Sequence, residues 1–282
     1  MVSLEEYQLL DFGQGRKLEK FGPYILDRAS PAADNSARTD PRLWKTASAV
    51  YHRRDGTDGK WSWRGESTDT WTLDLQCFRM SLKCTSFGHI GIFPEQMKNW
   101  QWIFDRCQRG ERPVRVLNLF AYTGGSTLAA AAAGAEVTHV DSAKNVVQWA
   151  RNNADLSGLK DAPIRWIVED AAKFVRREVK RGRQYDAVVL DPPSYGHGPK
   201  GEVWKVSHHL AELLQNCATL LANHGRFILL TCHSPGFGPA ELSASVTDAF
   251  FGSCQAPVVT NRLTIPCQDG RKLDAGVVVR WP

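Results

Sequence analysis

Between Val114 and Thr231 the chain repeats one unit five times: a short apolar run, a polar or glycine stop, then a stretch with helical spacing. The runs are Val114–Phe120, Glu136–Val140, Ile164–Val168, Tyr185–Leu190 and Arg226–Thr231. Apolar runs this short read as strands buried on both faces, and strands joined by helices must lie parallel. The helices are expected over Thr127–Ala133, Ala143–Leu156, Ala171–Lys180, Val203–Leu221 and Pro239–Phe251. The first is almost all alanine, the best helix former and small enough to sit close to a sheet. Gly134, Gly158 and the Asn223-His224-Gly225 cluster supply helix stops. Two more strands, Val258–Ile265 and Gly276–Trp281, flank Asp269-Gly270 and predict a closing antiparallel strand. The expected fold class is α/β, a doubly wound, seven-stranded Rossmann-like sheet.

Residues 1–90 have a different texture. Period-two alternation in Trp71-Leu73-Leu75 and Phe78-Met80-Leu82 predicts a hairpin, and Tyr7–Phe12, Lys17–Phe21 and Tyr24–Arg28 read as short strands. The segment Ala29–Asp40 reads as a loop, and Arg53–Gly59 as a turn cluster. The expected division is therefore a small β-rich module over 1–90, with a possible substrate-recognition role, and the α/β domain over 91–282. At 282 residues the chain has room for both. The net charge of +5 permits a nucleic-acid partner without requiring one. No run of 18 apolar residues exists, so no membrane span is expected. The seven cysteines are scattered and form no C-x-x-C pair. That pattern points to reduced thiols in a cytoplasmic protein, with neither a disulfide framework nor a metal site.

In a doubly wound sheet, ligands bind outside the carboxyl ends of the strands. Five groups fall there: Tyr122–Gly125, Asp141, Asp170, Asp191 and Cys232. Asp141, 17 positions beyond Gly124, is placed to accept hydrogen bonds from ribose hydroxyls. The turn Ala121-Tyr122-Thr123-Gly124-Gly125 lacks the G-x-G-x-x-G spacing that sets a pyrophosphate on a helix start. An adenosyl cofactor without phosphates fits this corner better than a nicotinamide dinucleotide.

The motifs NLFAYTGG (118–125), HVDSA (139–143), EDA (169–171) and DPPSY (191–195), in this order, resemble class I S-adenosylmethionine-dependent methyltransferases. With FGHIGIFPEQ (87–96) ahead of them, they resemble more narrowly the bacterial large-subunit rRNA cytosine-5 methyltransferase family. The resemblance spans about residues 70–282, and residues 1–70 do not show the RNA-binding domain with which that family usually begins. It implies S-adenosyl-L-methionine as cofactor and RNA, chiefly rRNA, as substrate. It also implies that Phe120, Ala121, Tyr122, Gly124 and Gly125 line the methionine half. Asp141 with Ser142 would hold the ribose, Asp170 and Ala171 the adenine, and Gln96 would reach the cofactor from the preceding segment. Asp191 and Pro193 would border the methyl.

Two chemistries compete on the acceptor side. In one, Asp191 and a proline carbonyl accept the hydrogens of an exocyclic amine while Tyr195 stacks on a flipped-out base. That reading makes the enzyme a guanine-N2 or adenine-N6 methyltransferase. In the other, Cys232, flanked by Thr231, His233 and Ser234, adds to C6 of a cytosine so that C5 can take the methyl. The second is the leading expectation. A third reading, from another class, is an RNA-interaction protein that binds the cofactor without turnover.

Overall fold

The computed structural model describes residues 1–3, 5–54, 58–109, 112–221, 225–251 and 257–281. Part of the expected turn at Arg53–Gly59, the cap residues Asn223 and His224, and Cys254 lie outside the described residues. The chain forms two compact units, Val2–Met97 with Thr264–Ala275, and Lys98–Leu263 with Gly276–Pro282. The last hairpin thus contributes to both units.

In the first unit, β1 (Tyr7–Gly13), β2 (Arg16–Phe21), β3 (Tyr24–Ala29), β4 (Ala49–Arg53) and β5 (Gly59–Trp63) form one sheet in sequence order. A separate hairpin joins β6 (Trp71–Asp74) to β7 (Arg79–Leu82), as the alternation predicts. A register shift between Leu9 and Asp11 marks a bulge in β1. The Asp11 carboxylate, fully buried, accepts from the Thr39 and Phe12 amides, the Trp44 indole and Arg271. A small sheet with a thin core gains order from such a hub, because the buried Asp11 carboxylate is satisfied by several donors at once. Glu19, also fully buried, is bridged by Arg28 at 2.6 Å and Lys17 at 3.1 Å.

The second unit begins with α1 (Met97–Cys107) and continues β8 (Arg115–Leu119), α2 (Gly125–Ala132), β9 (Glu136–Asp141), α3 (Lys144–Leu156), β10 (Ile164–Val168), α4 (Ala171–Lys180) and β11 (Ala187–Leu190). A short ribbon of β12 (Tyr195–His197) and β13 (Val203–Lys205) leads to α5 (Val206–Leu220). Then come β14 (Phe227–Cys232), α6 (Pro239–Ala249), β15 (Val259–Pro266) and β16 (Lys272–Trp281). The sheet order is β10-β9-β8-β11-β14-β16-β15. The pairings β9–β10, β8–β9, β8–β11 and β11–β14 are parallel, and β14–β16 is antiparallel. This is the seven-stranded, doubly wound sheet expected from the alternation. The order reverses at β8, so the crevice opens at the carboxyl ends of β8 and β11.

One segment departs from expectation. The glycine-bearing stretch after DPPSY is not a plain loop into a helix starting at Val203; Tyr195–Lys205 folds back as the β12–β13 ribbon, and the helix starts at Val206. The Gly198 amide donates to the Glu202 carbonyl at 2.7 Å and closes the ribbon. Trp204, on its inner side, is buried in the main core. Among the described residues no helix is long and apolar enough to cross a membrane.

At the opposite, amino edge of the sheet, the buried Asp186 accepts from Arg112 at 2.7 Å and from the Arg115 side chain and amide. Burial alone would raise its carboxyl, but the two guanidiniums and the amide hold it well below the usual carboxylate range. A carboxyl lowered by folding stabilises the protein above its unfolded value, near 3.9, and that contribution is lost as pH falls further. Asp186→Asn is expected to cost about 3 kcal/mol in denaturant melts at pH 7, since two guanidiniums lose their counter-charge. The cost should shrink below about pH 4.

Candidate active site

The turn from β8 into α2 is shaped by backbone conformation. Phe120 and Tyr122 take left-handed φ values of 55° and 49°, and Gly124 follows at 94°. Non-glycine residues seldom adopt this region, and pairs of them in one loop mark a strained ligand-facing turn. Gly125 is required by packing: a Cβ there would lie 2.4 Å from the Trp100 ring of α1. Beneath the turn, Asn118 Nδ2 donates to Thr127 Oγ1 at 2.9 Å, and Thr127 Oγ1 lies 2.9 Å from His139 Nδ1. Burial pushes His139 down to about 3, so it stays neutral. Asn153 Nδ2 donates to the Thr123 carbonyl from α3. These four polar residues pin the loop, and none was singled out by sequence reasoning. A polar residue inside an apolar strand, as Asn118 is, was the available signal.

Asp141 ends β9 beside this turn. Its Oδ2 accepts from the Tyr122 amide at 2.9 Å and its Oδ1 from the Ala143 amide at 3.0 Å. Burial pushes its carboxyl up, and the Ala143, Tyr122 and Ser142 amides oppose that shift. A carboxylate offers about four lone-pair positions, so the bonded amides leave acceptor capacity for a ribose hydroxyl. Ser142, between the two, is half-buried. Asp170 caps α4, accepting from the Lys173 amide at 2.8 Å. Ala171 is the first helical residue, where an amide has no intrahelical acceptor and can serve a ring nitrogen. The turn, the Asp141 carboxylate and the helix start of α4 therefore suit a nucleoside without phosphates. Gln96 closes the turn Pro94–Gln96 and is 5% exposed; it belongs to the first unit.

Across the sheet, β11 and β14 run as parallel neighbours, and β14 continues two residues past the last pair, Leu190 with Leu230, to end at Cys232. The Thr231 hydroxyl donates to Asp191 Oδ1, and His233 Nε2 lies 3.4 Å from the same oxygen. Cys232, between them, is 1% exposed and belongs to the core cluster with Leu190, Leu230, Leu242 and Val277. Ser194 and Ser234 hydroxyls meet at 2.7 Å and tie the two loops together. The carbonyl of Pro193 accepts the Trp204 indole N–H at 2.8 Å, and the Trp204 ring packs on Phe120 at 4.8 Å. The ribbon is therefore the brace of the DPPSY loop and of the β8–α2 turn. Tyr195 is 53% exposed and stands at the start of the ribbon. The structure thus brings Phe120–Gly125 and Asp141 into one corner, and Asp191, Thr231 and His233 into another patch of the same sheet edge, while the Cys232 side chain, on the alternate face of β14, packs into the core instead of facing Asp191. Trp204 and Thr231 were missed as site residues, because only the ribbon and the strand register reveal their contacts.

Residues 40–248 match the model of a family described as S-adenosylmethionine-dependent methyltransferase. A crystal structure of a SAM-dependent methyltransferase from Agrobacterium tumefaciens superposes with a TM-score of 0.94 at 37% identity, covering 100% of this chain and 91% of that one. The ribosomal RNA large subunit methyltransferase K/L of Pseudomonas paraeruginosa is 27% identical over 239 residues, 79% of this chain and 31% of that protein. The ribosomal RNA large subunit methyltransferase I of Aeromonas salmonicida is 34% identical over 147 residues, 51% of this chain and 36% of that protein. The chain spans about a third of the length of these two curated relatives.

Proposed function

Because the chain belongs to the S-adenosylmethionine-dependent methyltransferase family, we propose that it methylates a base in RNA, at C5 of a cytosine, with Cys232 as nucleophile. The observation that carries this reading is sequence adjacency at the strand end: Cys232 closes β14 between Thr231 and His233, which both contact the Asp191 carboxylate, while strand alternation turns the thiol itself to the core side. A thiol and an acid at adjoining strand ends are what an addition and elimination at a pyrimidine require. S-adenosylmethionine supplies an electrophilic methyl when bound against Phe120–Gly125, Asp141, Ser142, Asp170 and Ala171.

The protein's own part is then as follows. The Cys232 thiolate forms a bond to C6, and the C5–C6 π electrons move to C5, which takes the methyl. A base removes the C5 proton, that electron pair restores the double bond, and the S–C6 bond breaks to regenerate the thiolate. Asp191, at the end of the neighbouring strand β11, is the carboxylate assigned that part. The curated relatives are named for large-subunit ribosomal RNA, which supports rRNA as the acceptor. For this reading the first unit is a substrate-recognition module and the working compartment is the cytoplasm.

A second reading is favoured by exposure. Asp191 keeps 35% of its side chain accessible and Tyr195 53% of its surface, whereas Cys232 is covered. An amine-directed transfer needs only the first two, with Asp191 accepting an amine hydrogen and Tyr195 stacking. The test is mass spectrometry of nucleosides from rRNA of cells with and without the gene. Loss of 5-methylcytidine alone supports the first reading, and loss of an N-methylated purine supports the second. An unchanged nucleoside profile, together with no labelled methyl transferred to total RNA in vitro, would overturn both.

A further inference from the structure

The Asp191 carboxylate is held from β14, and the hold reaches one strand further. His233 follows Cys232 at the end of β14 and places Nε2 3.4 Å from Asp191 Oδ1, with 38% of its side chain exposed. Its imidazole can sit there because residue 276 of the antiparallel neighbour β16 is glycine. A Cβ at 276 would lie 2.8 Å from His233 Nδ1 and 2.6 Å from the Cys232 carbonyl oxygen, and φ there is 103°. Both the space and the backbone conformation exclude a side chain. Gly276 pairs into the sheet immediately before Val277, the register partner of Cys232, so the glycine is fixed opposite the acceptor loop.

We infer that His233, seated by Gly276, is a positioning residue for Asp191. With Thr231 it fixes the rotation of the carboxylate from the side of β14, so that the group meets the base in one orientation. The strand β16 thereby takes part in the acceptor site although it carries no reacting group. Contacts from Thr231 and His233 at Asp191 Oδ1 restrict the rotation of the carboxylate, an entropic contribution to the chemical step and not to cofactor binding. This inference rests on the reading of Asp191 as an acceptor-side group.

The experiment uses the full chain, total RNA from cells lacking the gene, and labelled S-adenosylmethionine. His233→Ala is expected to lower kcat about 10-fold, the scale of one polar contact to a carboxylate, with the KM for S-adenosylmethionine unchanged. His233→Gln, whose carboxamide N–H can also donate, is expected to recover activity to within about threefold of wild type. Gly276→Ala should reproduce the loss, and the double variant should be no worse than Gly276→Ala alone, since coupled sites are non-additive. Thermal melts separate a folding defect in Gly276→Ala from a defect at the site, and the two His233 variants stand independently of it. A fully active His233→Ala, a His233→Gln as poor as the alanine variant, or additive losses would overturn the positioning role. Asp191→Asn serves as the control: if it is fully active, the reading beneath fails, whereas an inactive Asp191→Asn beside a normal His233→Ala defeats the positioning role alone.

Discussion

Cys232→Ala is expected to abolish transfer to RNA, a loss of about 10⁴-fold or more, while S-adenosylhomocysteine binding stays within twofold. Removal of a covalent nucleophile has effects of this order because no alternative group makes the bond to the reacting carbon. The corner proposed for the cofactor lies at β8 and β9, with Asp141 held by the Tyr122 and Ala143 amides, and no contact to Cys232 is among those described. Its affinity should therefore be indifferent to the thiol. The measurements are single-turnover transfer of labelled methyl and calorimetric titration with S-adenosylhomocysteine. Wild-type protein should also form a denaturation-resistant adduct with RNA containing 5-fluorocytosine, which blocks loss of the C5 substituent, and Cys232→Ala should not. Full activity of the alanine variant would remove the covalent route and leave the amine-directed reading at Asp191 and Tyr195.

Asp141→Ala is expected to weaken S-adenosylhomocysteine binding about 100- to 1,000-fold. Hydroxyl hydrogen bonds to a carboxylate are worth about 3 to 4 kcal/mol together in a partly desolvated site. The variant also strips the acceptor from the Tyr122 amide, whose residue sits at φ 49° and relies on that bond to hold an uncommon conformation. Asp141→Asn keeps an acceptor oxygen and should lose less, about 10-fold. A calorimetric titration of the three proteins decides the matter, and equal affinities would mean that the ribose is held elsewhere. Circular dichroism melts at saturating ligand check the folding of each variant, because bound ligand at about 100 times its dissociation constant adds about 2.7 kcal/mol.

Much of the fold was legible because its elements are local. Alanines at Ala129–Ala133, the apolar runs and the glycine stops act over a few residues each, so β8 to β11 and the helices between them follow from spacing. The ribbon after DPPSY was not legible. Gly196, Gly198 and Gly201 suggest a loop, and only the packing of Trp204 against Phe120 and Pro193 makes the backbone pair. The same holds for the first unit, where Asp11 and Arg271 are 260 positions apart and meet across a bulge. Nothing in the local sequence of either residue announces the other.

By itself the sequence determined the order of strands and helices, the glycine turn without phosphate spacing, and the strand-end placement of Asp141, Asp191 and Cys232. These follow from periodicity and from the rule that parallel strands deliver their ends to one edge. The tertiary structure decided which groups at that edge touch. It joined Thr231 and His233 to Asp191, covered Cys232, committed Asp170 to the cap of α4 and the Pro193 carbonyl to Trp204. The physical reason is that register and loop packing act through contacts far apart in the chain. A shift of one residue between β11 and β14 would turn each of those side chains to the other face.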